Sequence, residues 1–187
     1  MSTQSGRRVS FPVMDPAGPV TRELSIEERY ATLETLYKYQ YFATYRHIAK
    51  HAGWEVANQI SDDMAAEAIP HIAEGYRRKF GLPGEGAALL AQVHVTEMLI
   101  EGADVETIVE TEDNADYTVL CPWGDAIQSG KFEDAMPIAE GLCHRGCLGF
   151  MQRVGKTVNE GLQVEREAWM GDGAPRCHFV IGPKSET

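Results

Sequence analysis

Four cysteines carry the first chemical signal. Cys121 stands just before Pro122 and Trp123, Cys143 and Cys147 are four residues apart, and Cys177 is flanked by Arg176 and His178. A thiol attacks an electrophilic carbon once nearby positive charge or a helix N-terminus stabilises its thiolate. Thiolates also hold zinc or iron–sulfur clusters, and a neutral thiol is a small buried hydrophobe. Residue type and spacing leave all three roles open. The spacing does not match a zinc knuckle, so a zinc or iron–sulfur site would need Cys121, Cys143, Cys147 and Cys177 to converge. Otherwise no cofactor is expected.

Three histidines are candidate general bases. His144 follows Cys143, His178 follows Cys177, and His94 lies beside Val93 and Val95 with Glu97 three residues on. Glu97 and Asp125 are candidate partners for a charged substrate, with Trp123 and Cys143 as candidate walls. His47 and His51 are four apart, but nothing nearby completes a metal site and a solvated helix face explains them. His71 follows no pattern. The acidic run Glu106, Glu110, Glu112, Asp113 and Asp116 reads as a solvated strand edge. The sequence contains no Walker-type loop, dinucleotide fingerprint, nucleophile-elbow serine or HExxH motif. Gly171-Asp172-Gly173 opens a strand rather than a helix, so a hairpin turn explains it.

The elements that position these groups follow from periodicity. Ser25 and Glu28 form a capping-box pattern. Leu33, Leu36, Tyr37, Tyr41, Tyr45 and Ile48 then recur at helical spacing until Gly53. A second helix is expected from about Trp54 to Lys79, interrupted or kinked near Pro70, and a third from about Ala87 to Glu101. After Gly102 the period becomes two. Val105 to Glu110 and Tyr117 to Cys121 read as a strand pair, which Pro122 ends. Asp134 and Pro137 open a helix to Arg153, closed by Gly155. A second strand pair runs Leu162 to Met170 and Arg176 to Ile181. Short turns inside both pairs favour antiparallel pairing. The expected fold is α+β, N-terminal helices followed by a small antiparallel sheet of two hairpins with a covering helix. Its organisation is a flexible lead-in at 1–20 and a single domain at 21–187, helical over 21–102 and sheet-plus-helix over 103–187.

The 187 residues carry 17 basic and 28 acidic side chains, a formal charge of −11. Such a balance argues against a nucleic-acid partner, whose phosphates are met by Lys and Arg, and against an anionic membrane surface. No apolar run approaches the ~20 residues of a membrane span. Cysteines without a secretory-signal pattern point to a reducing cytoplasm. The expected partners are a small-molecule substrate and a second copy of the chain through the N-terminal helices.

The C-terminal half resembles a known family. Cys121-Pro122-Trp123, Cys143 within a helix, and Gly171-Asp172 followed by Cys177-His178-Phe179 resemble the L-2-amino-thiazoline-4-carboxylic acid hydrolase-like family, over about Val105 to Ile181. A more distant similarity is to 4-vinyl reductase domains, which end in a similar turn. Two positions depart from the family pattern. The gap between Asp172 and Cys177 is longer than the family's, and Cys147 stands where an acidic residue is expected. The resemblance implies a cytosolic hydrolase opening a C–N or C–S bond of a small cyclic amidine or related carboxylated heterocycle. Cys121 or Cys177 would be the nucleophile, His178, His144 or His94 the base, and Glu97 or Asp125 the partner of an amidinium. The alternatives are a small-molecule-binding or sensor domain, with Tyr37, Tyr41, Phe42 and Tyr45 lining a pocket or dimer face, and a metal or iron–sulfur protein using the four thiols.

Overall fold

The computed structural model describes residues 25–129 and 135–184. Contacts divide the chain after Leu36. The described part of the first unit is the start of helix α1 (Ile26–Ala52), where Ile26, Tyr30, Leu33 and Leu36 are exposed. The second unit, Tyr37–Thr187, contains the remaining elements. The expected lead-in at 1–20 lies outside the described residues, as do Asp134 and the side chain of Glu28 on which the capping box depends.

Helix α2 (Trp54–Phe80) begins after Gly53, whose positive φ of 90° turns the chain between the two helices. It runs on through Pro70, so the expected interruption there does not occur. Pro70 and Ala66, whose carbonyl the proline leaves without an N–H, are both exposed residues. Ile69 and Ala73 meanwhile anchor the buried face. Helix α3 (Gly86–Ile100) is apolar on nearly every side. Ala87, Leu90, Val93 and His94 are among its buried residues, which makes it the central helix.

Strands β1 (Asp104–Glu110), β2 (Ala115–Leu120), β3 (Leu162–Ala168) and β4 (Cys177–Pro183) form one antiparallel sheet in the order β1-β2-β4-β3. The fold is therefore α+β with two hairpins, as the turn lengths require. Tyr117, Val119, Cys177, Phe179, Ile181 and Val164 point inward onto the helices. The outer face is polar. There His178 Nε2 lies 2.6 Å from Asp116, its Nδ1 lies 3.2 Å from Glu167, and Arg176 joins Thr118 to Asp104.

Two elements differ from expectation. Pro122 ends a strand but also starts helix α4 (Pro122–Gln128), because proline is favoured at the first helical position, where no N–H is needed. The expected single helix from Asp134 to Arg153 is three joined pieces: α5 (Ala135–Ala139), a π-helix (Glu140–Gly149) and α6 (Phe150–Val158). Helix α6 continues past Gly155. An added Cβ there would lie 2.9 Å from Leu90, so this glycine serves close packing of α6 on α3 rather than termination.

Candidate functional site

The four thiols converge. Cys121, Cys143, Cys147 and Cys177 all line one cavity of about 190 Å³ between the helices and the inner face of the sheet. Each arrives by a separate local rule. Strand alternation turns Cys177 inward with Phe179 and Ile181. Cys121 sits at the junction of β2 and α4, where its carbonyl accepts the N–H of Asp125 and so begins the helix. The π-helix brings Leu142, Cys143, Gly146 and Cys147 to the cavity together. A wider turn with i→i+5 bonding keeps residues four and five apart on one side. Gly141 lets that helix approach α1 and α2: its position is pressed against the Tyr45 hydroxyl, which donates to Asn58 Oδ1 in a buried bond.

At the cavity wall His94 is 1% exposed, with Nδ1 2.7 Å from the Tyr117 hydroxyl and Nε2 3.5 Å from Cys147 Sγ. Its ring stands edge-on to Phe179 at 4.8 Å. Burial pulls its pKa down to about 4, so the imidazole is neutral at physiological pH. All four thiols are pushed the other way. Burial raises Cys121 to about 12 against the pull of the Gly124 and Trp123 amides, and raises Cys147 well above the usual thiol value. Cys143 and Cys177 rise for the same reason, opposed by Trp169 and Arg166 at Cys143 and by the Met170 amide at Cys177. The thiols are neutral and apolar in character.

The acidic end of the cavity is built by α3. Glu97 and Glu101 both line it, and Glu101 accepts a 2.7 Å hydrogen bond from Trp123 Nε1. Burial, with Glu101 adding to it, raises the Glu97 carboxyl to about 7. Tyr37 and Tyr41 flank Trp123 at 6.3 and 5.7 Å, edge-on. Arg166 lines another part of the wall, where it donates to the Cys143 carbonyl at 2.8 Å and lies 5.0 Å over the Trp169 ring.

Of the residues singled out by sequence, Cys121, Cys143, Cys177, His94, Glu97 and Trp123 meet at this cavity, together with Tyr37 and Tyr41. Three others do not. His178 points to the outer face of the sheet, because alternation sets it opposite Cys177 and Phe179. His144 faces a separate hollow with Pro137, Glu140, Arg145 and Trp169. Asp125 is exposed on α4 and absent from the lining. Phe42 and Tyr45 pack in a neighbouring core cluster rather than on the cavity. Among the described residues, no group of three or more His, Cys, Asp or Glu side chains is placed to hold a metal ion. Likewise, no described helix is long and apolar enough to cross a membrane.

Sequence reasoning missed Tyr117, Glu101 and Arg166. Arg166 had a usable signal: it falls on the Leu162 and Val164 side of β3, and a charge on an apolar strand face asks for a reason. A β-bulge beside it, between Arg166 and Ala168, re-aims the end of the strand.

No protein-family model matches the chain, and no curated protein matches it. Among solved structures, similarity is found to the crystal structure of the phenol-responsive sensory domain of the transcription activator PoxR with phenol. The two chains are 13% identical, the match covers 82% of this chain and 74% of that one, and the TM-score is 0.46.

Proposed function

We propose that this chain is a small-molecule-binding domain whose thiol-lined cavity takes one compact, flat, largely apolar molecule. One observation carries the reading: the four cysteines line a cavity of about 190 Å³ together with Val119, Phe150 and Phe179, where burial pushes each thiol toward its neutral form. An apolar cavity of about 150 Å³ is enough to hold benzene. Pockets of this kind bind by apolar walls and orient by a few polar groups, here Glu97, Glu101, His94 and Arg166.

The test is ligand-induced stabilisation. A ligand that binds only the folded chain raises its unfolding free energy by about 2.7 kcal/mol at one hundred times its Kd. Toluene and similar single-ring compounds are expected to raise the melting temperature without being consumed. Gly146→Leu, which adds bulk to the lining, is expected to abolish the effect while leaving the chain folded. No stabilisation by any such compound would remove the reading.

A hydrolase of the family resembled above is the second reading. Its support is the contact between His94 Nε2 and Cys147 Sγ, with Tyr117 on the other ring nitrogen. That pair would act as general base and nucleophile through Cys147, rather than through Cys121 or Cys177 as the resemblance implies. Against it stand the low basicity of His94 and the raised thiol. Ring opening of a cyclic amidine that is lost in Cys147→Ser would establish it.

A further inference from the structure

Tyr117, His94 and Cys147 form a chain of hydrogen bonds that ends at the cavity. His94 Nδ1 lies 2.7 Å from the Tyr117 hydroxyl, and its Nε2 lies 3.5 Å from Cys147 Sγ. Tyr117 is fully buried and stands behind the lining, whereas Cys147 opens onto the space. Among the described residues, neither the Tyr117 hydroxyl nor Cys147 Sγ has another hydrogen-bond partner.

The protons available fix the direction of this chain. Burial keeps His94 neutral, so its ring has one N–H and one bare nitrogen. Which nitrogen holds the proton is set by the partner of the other. The hydroxyl, the imidazole and the thiol bring three protons to two contacts, so one proton has no acceptor within the chain. Were the thiol to donate to Nε2, Nδ1–H would donate to the Tyr117 oxygen, and the proton left over would be the tyrosine O–H. A fully buried hydroxyl without an acceptor bears its whole desolvation penalty. In the opposite direction the O–H donates to Nδ1, Nε2–H donates to Sγ, and the proton left over is an S–H. That is a weak donor, cheaper to leave unpaired, and it stands at the cavity. Cys177 has a similar disposition: its sulfur accepts the Met170 N–H at 3.5 Å while it lines the same space.

We infer that Tyr117 holds His94 as the Nε2–H tautomer and that Cys147 therefore offers its S–H to the ligand, a small ring bearing one neutral oxygen acceptor such as a carbonyl. Tyr117 and His94 are positioning residues, and Cys147 is the group that touches the ligand. This rests on the binding reading above and narrows it to a ligand class. Hydrogen bonds in a chain polarise one another, so a thiol that accepts from His94 donates better than an isolated one. The same tautomer leaves Nε2 without a lone pair for the Cys147 proton, which opposes the hydrolase reading.

The experiment uses the full chain with isotope-labelled histidine for nitrogen NMR, as wild type, Y117F and C147A. Binding of acetophenone is compared by calorimetry with that of α-methylstyrene, which carries a methylene in place of the carbonyl oxygen. In the wild type the His94 ring is expected to show a protonated Nε2 and a bare Nδ1, and in Y117F a mixture of tautomers. The ratio of acetophenone to α-methylstyrene affinity should fall about threefold in C147A, as loss of one weak hydrogen bond requires. The infrared S–H band that disappears in C147A should move to lower frequency when acetophenone binds the wild type. A protonated Nδ1 in the wild type, a tautomer unchanged in Y117F, an S–H band that acetophenone does not move, or an affinity ratio unchanged in C147A overturns the inference while leaving the apolar pocket standing. Failure of both compounds to bind the wild type overturns the pocket reading and the ligand class with it, and the tautomer then bears on the role of Tyr117 alone.

Discussion

The pH dependence of stability offers a direct check on the acidic end of the cavity, because two buried groups there pull in opposite directions. His94 takes a proton near pH 6.5 when unfolded but resists it to about 4 when folded. Between those values the unfolded chain binds the extra proton, so His94 makes stability fall as the pH falls. Glu97 does the reverse. Unfolded, it releases its proton near 4.5; folded, it keeps it to about 7, so stability falls as the pH rises. Each window spans roughly two and a half pH units, at about 1.4 kcal/mol per unit, so each contributes roughly 3 kcal/mol. Between pH 4.5 and 6.5 the two slopes offset in the wild type. Single variants unmask them. In urea unfolding at pH 4 to 8, E97Q should gain about 3 kcal/mol relative to wild type as the pH rises from 4.5 to 7. H94N, whose amide can still meet the Tyr117 hydroxyl, should gain a similar amount relative to wild type as the pH falls from 6.5 to 4. Fixed costs of either substitution drop out, because only the change with pH is read. Curves parallel to wild type across these windows would refute the placement of both groups in a poorly solvated site.

Two further outcomes follow from the same geometry. At pH 7.5 all four thiols should react with iodoacetamide far more slowly than a free thiol and become equally reactive in urea; a rapidly alkylated cysteine in the folded chain would point back to a nucleophile. Gly141→Ala should cost about 1–3 kcal/mol in urea unfolding, because its methyl would displace the Tyr45 hydroxyl from Asn58 and push the π-helix off α1 and α2, and a neutral result would show that this contact is soft.

Much of this arrangement was legible in local pattern. The Tyr and Leu spacing of α1, the stop at Gly53 and the inward set Cys177, Phe179 and Ile181 all follow from rules that act over a few residues. The elements that escaped were decided by competition between rules or by distant contacts. Pro122 both ends β2 and begins α4, and sequence reasoning took only the first role. Gly155 reads as a helix end until Leu90 is seen against it. The π-winding of Glu140–Gly149 has no signature beyond its glycines. It matters because it brings Leu142 and Gly146 to the cavity beside Cys143 and Cys147. The candidate site was half legible for a related reason. Residue type marked the cysteines, His94 and Glu97, but adjacency in sequence promoted His144 and His178, which the helix and strand periods carry to other surfaces. Only tertiary packing could place His94 against Cys147, a neighbour 53 residues away.

Bromobenzene soaked into crystals of the wild-type chain, located by the anomalous scattering of its bromine, tests the central claim most directly. A single ordered site with the ring between Cys147, Phe179 and Trp123 is the result expected. A cavity that stays without bromine at saturating concentration, or bromine bound only on the outer surface, would contradict it.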